Sequence, residues 1–501
     1  MSFHRSLHLS VLYGVSVAIF LLIVYAVPGY ASTDSRLITA GPLFDYRSSA
    51  AVDYATLHLA GPLIKWERKK TERESAFRPI FYRSVDPARD AALVDVLFPL
   101  FRYRRDRDMV QWNLLALFRY EGQSYPERQR TEYKLFPFYE YGSGDGRPTS
   151  YAVFPFAAHV YNWFGRVETK YLLFPLWSQT RHHSGMQVDN VLWPFFARIS
   201  GADPDEWGFK AWPLTGYADR PGYYEKFFLL WPFWISYDTE LNTENPRHRR
   251  YVFPLWLYSE SPQRSERTVI WPFFSYIDDR DKGYTEWNFP WPLLTVAKGE
   301  YRHGVRILPF YSDLTTDTSR TRWYLWPVYR QETVDLGTIN RARDTLFFLL
   351  YTDIEETAKD GGEVRLHRRL LWPLFGYRQS KGVSHFYTLA LLEPLFPESD
   401  GIERNWSPLW RIYQAKWDQS GNRVDNLLWN LYWRERGPTG LAWEVFPLFF
   451  YFNEVEGKTE WSFLKGLLRY RSTPDQGKKL HLFYLPWGIP LGTIKTPPVT
   501  D

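Results

Sequence analysis

Few residues in this chain have the type and spacing that chemistry needs, and each of those reads more simply as part of a turn. His182-His183 is the one adjacent histidine pair. Neighbours on an extended strand point to opposite faces, so the two cannot easily share a metal ion. Asp278-Asp279-Arg280-Asp281 and Asp353-Ile354-Glu355-Glu356 could offer oxygens to calcium, but both are read as turns. Gly142-Ser143-Gly144-Asp145-Gly146 has the glycine content of a phosphate loop, but no helical pattern follows it, so it is read as a hairpin turn. There is no Gly-x-Ser-x-Gly elbow, no Gly-x-x-x-x-Gly-Lys and no His-Glu-x-x-His. Carboxylates for glycoside cleavage could come together from different strands, but no pair is distinguished along the chain. The sequence reading therefore assigns no catalytic, cofactor-binding or metal-binding residue, no cofactor and no enzymatic activity.

The elements that would have to position any site are set by a repeat. Pro175, Pro194, Pro213 and Pro232 are spaced 19 residues apart, each inside a phrase such as Leu-Trp-Pro-Phe-Phe. The phrase recurs at Pro99, Pro137, Pro155, Pro254, Pro272, Pro292, Pro309, Pro327, Pro373 and Pro447. Residues 32–90 read as degenerate first copies, with Gly41-Pro42 and Gly61-Pro62 in place of aromatic-Pro, and residues 91–490 as the repeat region. Copies without proline lie at 114–118, 346–350, 427–431 and 463–467, and irregular ones at Pro394, Pro408 and Pro486. A fixed short period decides architecture before any single residue does.

Aromatic residues make up 19% of the chain, and rings favour strands over helices. Turn formers sit between the phrases, near Gly144, Gly185, Gly222 and Gly283. The expectation is an all-β, antiparallel up-and-down meander of about two dozen repeat strands centred on the aromatic-Pro phrases, each strand about 12 to 14 residues long. Around Pro254 both faces then read as apolar: Val252, Pro254, Trp256 and Tyr258 on one, Phe253, Leu255 and Leu257 on the other. Intervals between prolines tend to alternate between long and short, as in a meander whose turns differ at the two ends.

At the N-terminus Arg5 precedes an apolar run from Val11 to Val27, then Pro28 and the small-residue site Gly29-Tyr30-Ala31. This reads as a signal peptide over residues 1–31, so export from the cytoplasm is expected. The last eleven residues, 491–501, read as a polar tail. Cysteine is absent, which excludes disulfides, thiolate ligands and a Cys nucleophile. With 61 basic and 56 acidic residues there is no nucleic-acid footprint. The basic runs Arg102-Tyr103-Arg104-Arg105 and Arg247-His248-Arg249-Arg250 read as solvated strand ends.

These observations favour a large closed β-barrel in a bacterial outer membrane, with lipid as its partner and a pore or export component as its role. The alternative is a stacked or sandwiched β-repeat scaffold in the periplasm or at the cell surface, binding a glycan or an envelope protein. An enzyme on such a scaffold is a third reading with no residue to support it. Two features oppose the barrel: apolar character on both faces, and a proline in each strand that would remove a ladder hydrogen bond where no water replaces it.

Overall fold

The computed structural model describes residues 30–31 and 35–492, apart from 116, 126–127, 145, 397–398 and 456. The apolar run Val11–Val27 and the tail beyond 492 lie outside the described residues. Tyr30 and Ala31 form a short strand paired with Leu37 and Arg36.

The chain is all-β, and the 47 strands among the described residues form one antiparallel sheet in which successive strands pair. The meander stands, but its unit is different from the one expected. Each 19-residue repeat holds two short strands, not one long one. Between Pro175 and Pro194 these are Trp177–Arg181 and Gln187–Val191, joined by a turn at His182–Met186. Between Pro213 and Pro232 they are Thr215–Arg220 and Tyr224–Leu229. Apart from the two-residue strands at either end, strands run five to eight residues.

The aromatic-Pro phrases are therefore tips between hairpins and not strand centres. Proline has no N–H to give a ladder, so the repeat places it where the ladder has already turned back. The more polar segments between the phrases are the strands themselves. The glycine turns fall where expected, at the opposite end of each hairpin: Gly144, Gly185, Gly222 and Gly283 all have positive φ. The copies without proline are tips as well, with positive φ at Leu115, Phe347, Leu428 and Leu464.

The ends of the sheet do not pair with each other among the described residues. Tyr30–Ala31 borders Ser35–Thr39, and Ile489–Pro490 borders Gly477–Leu482. The strand pairing thus shows a meander and no closed ring. The irregular copies at Pro394 and Pro408 flank or form two short helices, Asp400–Asn405 and Ser407–Trp410, the first capped by Ser399 Oγ accepting from the Ile402 N–H.

The chain divides into two compact units. The first comprises the described residues up to Asp106 and from Arg365 onward. In it the earliest and latest hairpins pack together. Arg47 pairs with Glu435 and lies over the Trp433 ring, and Asn430 donates to Asp45. The helical insert covers the next strands: Asn405 Nδ2 and Arg404 donate to the fully buried Asp95, and the Trp406 indole donates to the Phe98 carbonyl at 2.7 Å.

This packing explains why the first copies of the phrase are degenerate. A Cβ on Gly41 would lie 2.5 Å from Phe446 Cγ, and one on Gly61 would lie 3.3 Å from Trp429 Cβ. The early tips are Gly-Pro because aromatic side chains of the late tips occupy that space. Gly41 also has φ +57°, which disfavours a side chain. Gly41→Ala should therefore destabilise this unit by about 2 kcal/mol, read as a lowered midpoint in chemical unfolding. An unchanged midpoint would contradict the packing.

The second unit, Arg107–Val364, buries small and polar side chains. Ala197, Ala218, Thr268, Thr295 and Ser312 are all covered on one face of the sheet, and Ala158, Val160 and Tyr171 form a small cluster.

Candidate functional site

The tips are alike in detail. In Leu192-Trp193-Pro194-Phe195 the Phe195 N–H donates to the Leu192 carbonyl at 2.8 Å, Leu192 has φ +51° and the Trp193–Pro194 peptide is cis. The same i to i+3 bond closes the tips at Leu173, Leu230, Ile270 and Leu325.

Each tip also bonds to the tip before it. The Trp193 N–H donates to the Pro175 carbonyl at 2.7 Å, Trp231 to Pro213 at 2.7 Å, Trp271 to Pro254 at 2.8 Å and Trp326 to Pro309 at 2.6 Å. The ladder thus continues across the row of tips, and these backbone donors are satisfied without water. The residues before proline pack ring on ring: Phe174 with Trp193 at 5.5 Å, Trp212 with Trp231 at 5.8 Å, Phe253 with Trp271 at 5.9 Å. The residues after proline point outward, with Phe233 57% and Phe310 65% exposed.

One face of the sheet continues this surface. On five successive strands the position nearest the tips reads Trp234, Val252, Trp256, Val269, Phe274. Two residues further along, the same face reads Ser236, Arg250, Tyr258, Arg267, Tyr276. Two further still it reads Asp238, His248, Glu260, Ser265, Asp278. The surface passes from wholly apolar, through tyrosine and arginine, to charged. Trp234, in the apolar row, is 53% exposed, and Trp287, one row further from the tips beside Tyr276, is 55% exposed.

The charged zone is internally paired. Arg250 donates to both Asp238 oxygens at 2.7 and 2.8 Å, and this holds the Asp238 carboxyl below the usual carboxylate range. Arg320 and Arg322 do the same for Asp313. Buried positions include carboxylates as well as apolar side chains: in the first unit Asp95, Glu444 and Glu460 are at most 1% exposed. A contiguous exposed apolar surface is the informative departure from the usual arrangement in water.

The sequence-derived candidates do not converge on a site. His182 and His183 sit in the turn between Trp177–Arg181 and Gln187–Val191, as expected. Gly142, Ser143 and Gly144 end the strand Tyr139–Gly144 and Gly146 precedes the strand Arg147–Val153, with positive φ at Gly144 and Gly146. Asp278–Asp281 runs into a turn, where Asp278 takes Arg280 and Asp279 accepts from the Lys282 N–H. Asp353–Glu356 corrects the expectation: it lies within the strand Tyr351–Ala358, where Glu356 pairs with Arg341. Among the described residues no group of three His, Asp or Glu side chains is placed to hold a metal ion. The basic runs also lie in strands with carboxylate partners: Arg102 with Asp95, Arg105 with Asp90, Arg250 with Asp238.

The row of exposed apolar tips, which forms a rim along the sheet, was missed in the sequence because the phrases were read as strand centres. A signal for it was present around Pro232 and Pro272, where no charge lies next to the phrase and charges collect midway between phrases. No protein-family model matches the chain, and no curated protein matches it.

Proposed function

We propose that this chain works at a membrane of the cell envelope, with its proline tips seated in lipid and its glycine turns in water. The observation that carries the reading is the rim: exposed rings and aliphatic side chains on tips whose backbone donors are bonded to one another. Lipid requires both properties at once, since it accepts apolar side chains and leaves no water for an unpaired N–H. The tyrosines at the edge of the apolar zone suit the headgroup level, where amphipathic rings collect.

Both objections raised by the sequence fall away. The prolines remove no ladder bond because they lie in tips, and the apolar phrases are turns, which leaves the strands free to be polar on one side. Strand length refines the outer-membrane barrel into a shallower seat. Six residues span about 20 Å, and a crossing strand needs about 9 to 11 residues. The apolar tips and first strand positions form a layer about 10 Å deep, the depth of an interfacial seat and not of a 30 Å hydrocarbon core. Among the described residues no helix is long and apolar enough to cross a membrane. The soluble scaffold remains the second reading, favoured by the packing of early on late hairpins in the first unit. A pore, an export role or an outer-membrane address stands as part of the proposal to be tested.

The test is flotation of the full chain with phosphatidylcholine vesicles, with tryptophan fluorescence quenched by lipids brominated at defined depths. The expected result is co-flotation, with strongest quenching by the shallower acyl-chain bromines. A chain that stays monodisperse without detergent and sediments away from vesicles would reject membrane seating and favour the scaffold.

A further inference from the structure

In the first unit a cavity of about 300 Å³ lies among the Gly41-Pro42 and Gly61-Pro62 tips, the strand Tyr413–Asp418 and the tip carrying Trp429 and Asn430. Its walls hold Lys65, Arg78, Lys416 and His58 beside Asp45 and Glu67. The volume is at the lower end of ordinary small-ligand sites.

The internal pairing leaves an excess of cations. Lys65 is satisfied by Glu74 at 2.6 Å and Glu67 at 2.9 Å. Asp45 is taken by Arg47 and Asn430. That accounts for both carboxylates in the wall. Arg78, only 8% exposed, has no carboxylate partner; its Nε donates to the Arg404 carbonyl and its Nη1 to the Pro62 carbonyl, both at 2.7 Å. Two backbone carbonyls fix the guanidinium in place and leave Nη2 without a protein acceptor among the described residues. Lys416 has no hydrogen-bond or ion-pair partner among them. It is open to the cavity yet surrounded by protein, and that burial, with the nearby Arg411 charge, lowers its pKa. Burial also pushes His58 down to about 4, so its imidazole is neutral at pH 7 and adds a hydrogen-bonding group without charge. Gln414 and Asn426 complete the wall, the Asn426 amide nitrogen also donating to Asn430 Oδ1.

An anchored guanidinium, a free ammonium and neutral donors around a small volume match a compact oxyanion with several acceptor oxygens. We propose that this cavity binds a phosphate group, carried either by a soluble phosphate or by a phospholipid headgroup. The site stands on its own geometry and does not require the rim to be seated in lipid.

The experiment is calorimetric titration of the full chain in a non-ionic detergent, with inorganic phosphate and, separately, with dihexanoyl phosphatidic acid. At least one probe should bind. Lys416→Gln should weaken that binding about tenfold or more, and Lys416→Arg should restore most of it. Lys416→Gln should unfold at the wild-type temperature and float with vesicles as the wild type does, because Lys416 is outside the rim. Tighter binding of phosphatidic acid would identify a headgroup, and tighter binding of inorganic phosphate a soluble ligand. No binding of either probe, or equal binding by wild type and Lys416→Gln, would overturn the proposal. A chain that binds phosphate but fails to float would reject the membrane reading and keep the site.

Discussion

Trp256→Arg should weaken partitioning of the full chain into phosphatidylcholine vesicles about 30-fold, while Trp256→Leu should leave it within about threefold of wild type. Trp256 begins the strand Trp256–Glu260, in the row nearest the tips, between Val252 and Val269. It is 40% exposed, so leucine there opens no enclosed void, and the several kcal/mol that follow from hollowing out a core do not apply. A lipid-facing position demands apolarity and not shape. Arginine would bring a charge into the apolar layer, at about 2 kcal/mol, the lower end of the range for the bilayer midplane because the seat is shallow. That energy corresponds to the 30-fold effect. Both variants should unfold at the wild-type denaturant midpoint in detergent, since the change is on the outer surface. Equal partitioning of Trp256→Arg and wild type would remove Trp256 from the lipid contact. Strong destabilisation by Trp256→Leu would mean that the face is a packed protein interface instead.

Lys465→Met should destabilise the first unit by about 3 to 5 kcal/mol, the usual cost of breaking a buried ion pair from one side. Lys465 sits in a tip that has lost its proline, with φ +57°. Its ammonium turns inward, pairs with Glu444 and donates to the Thr39 carbonyl at 2.7 Å, which ties a late tip to an early strand. Glu444 is 1% exposed and also accepts from the Trp433 indole at 3.1 Å. Burial already pushes the Glu444 carboxyl up, and loss of the cation would push it further. A folded-state pKa above the unfolded value gives stability that is present at low pH and lost as pH rises. The damage from Lys465→Met should therefore grow from about pH 4.5 upward and shrink in acid. Adding Glu444→Gln should recover much of the loss at pH 7, because the uncompensated charge is gone. Unfolding midpoints of wild type, the single variant and the double variant between pH 4 and pH 8 measure this. A pH-independent effect, or no rescue by Glu444→Gln, would show that the ion pair is not what holds the two hairpins together.

Much of the architecture was legible in the chain. The 19-residue spacing of Pro175, Pro194, Pro213 and Pro232, with Gly185 and Gly222 between them, pointed to a β-repeat meander, because aromatic-rich segments bounded by turn formers at regular spacing read as strands. The glycine turns were located correctly for the same reason: a positive φ is a local demand, and glycine answers it locally. The strand boundaries went wrong because apolarity was taken as the mark of a strand. In the interval Arg264–Val269 the strand is mostly polar, and the apolar phrase Ile270-Trp271-Pro272-Phe273 is the tip. Apolar turns contradict the ordinary expectation that turns face water, and the proposed lipid seat is offered to account for them.

By itself, then, the sequence determined the fold class, the repeat period and the location of the glycine turns, since these follow from backbone restrictions at single residues. Tertiary structure decided the rest. Gly41 and Gly61 look like worn copies of a motif until Phe446 and Trp429 are found against them. Lys465 and Glu444 are ordinary charges until burial pairs them. Arg78 and Lys416 lie 338 positions apart in the chain and come together only because the first and last hairpins pack on each other. The physical reason is the same in each case: contacts between distant repeats depend on how the array folds back on itself, and a pattern that repeats locally carries no record of which copy meets which.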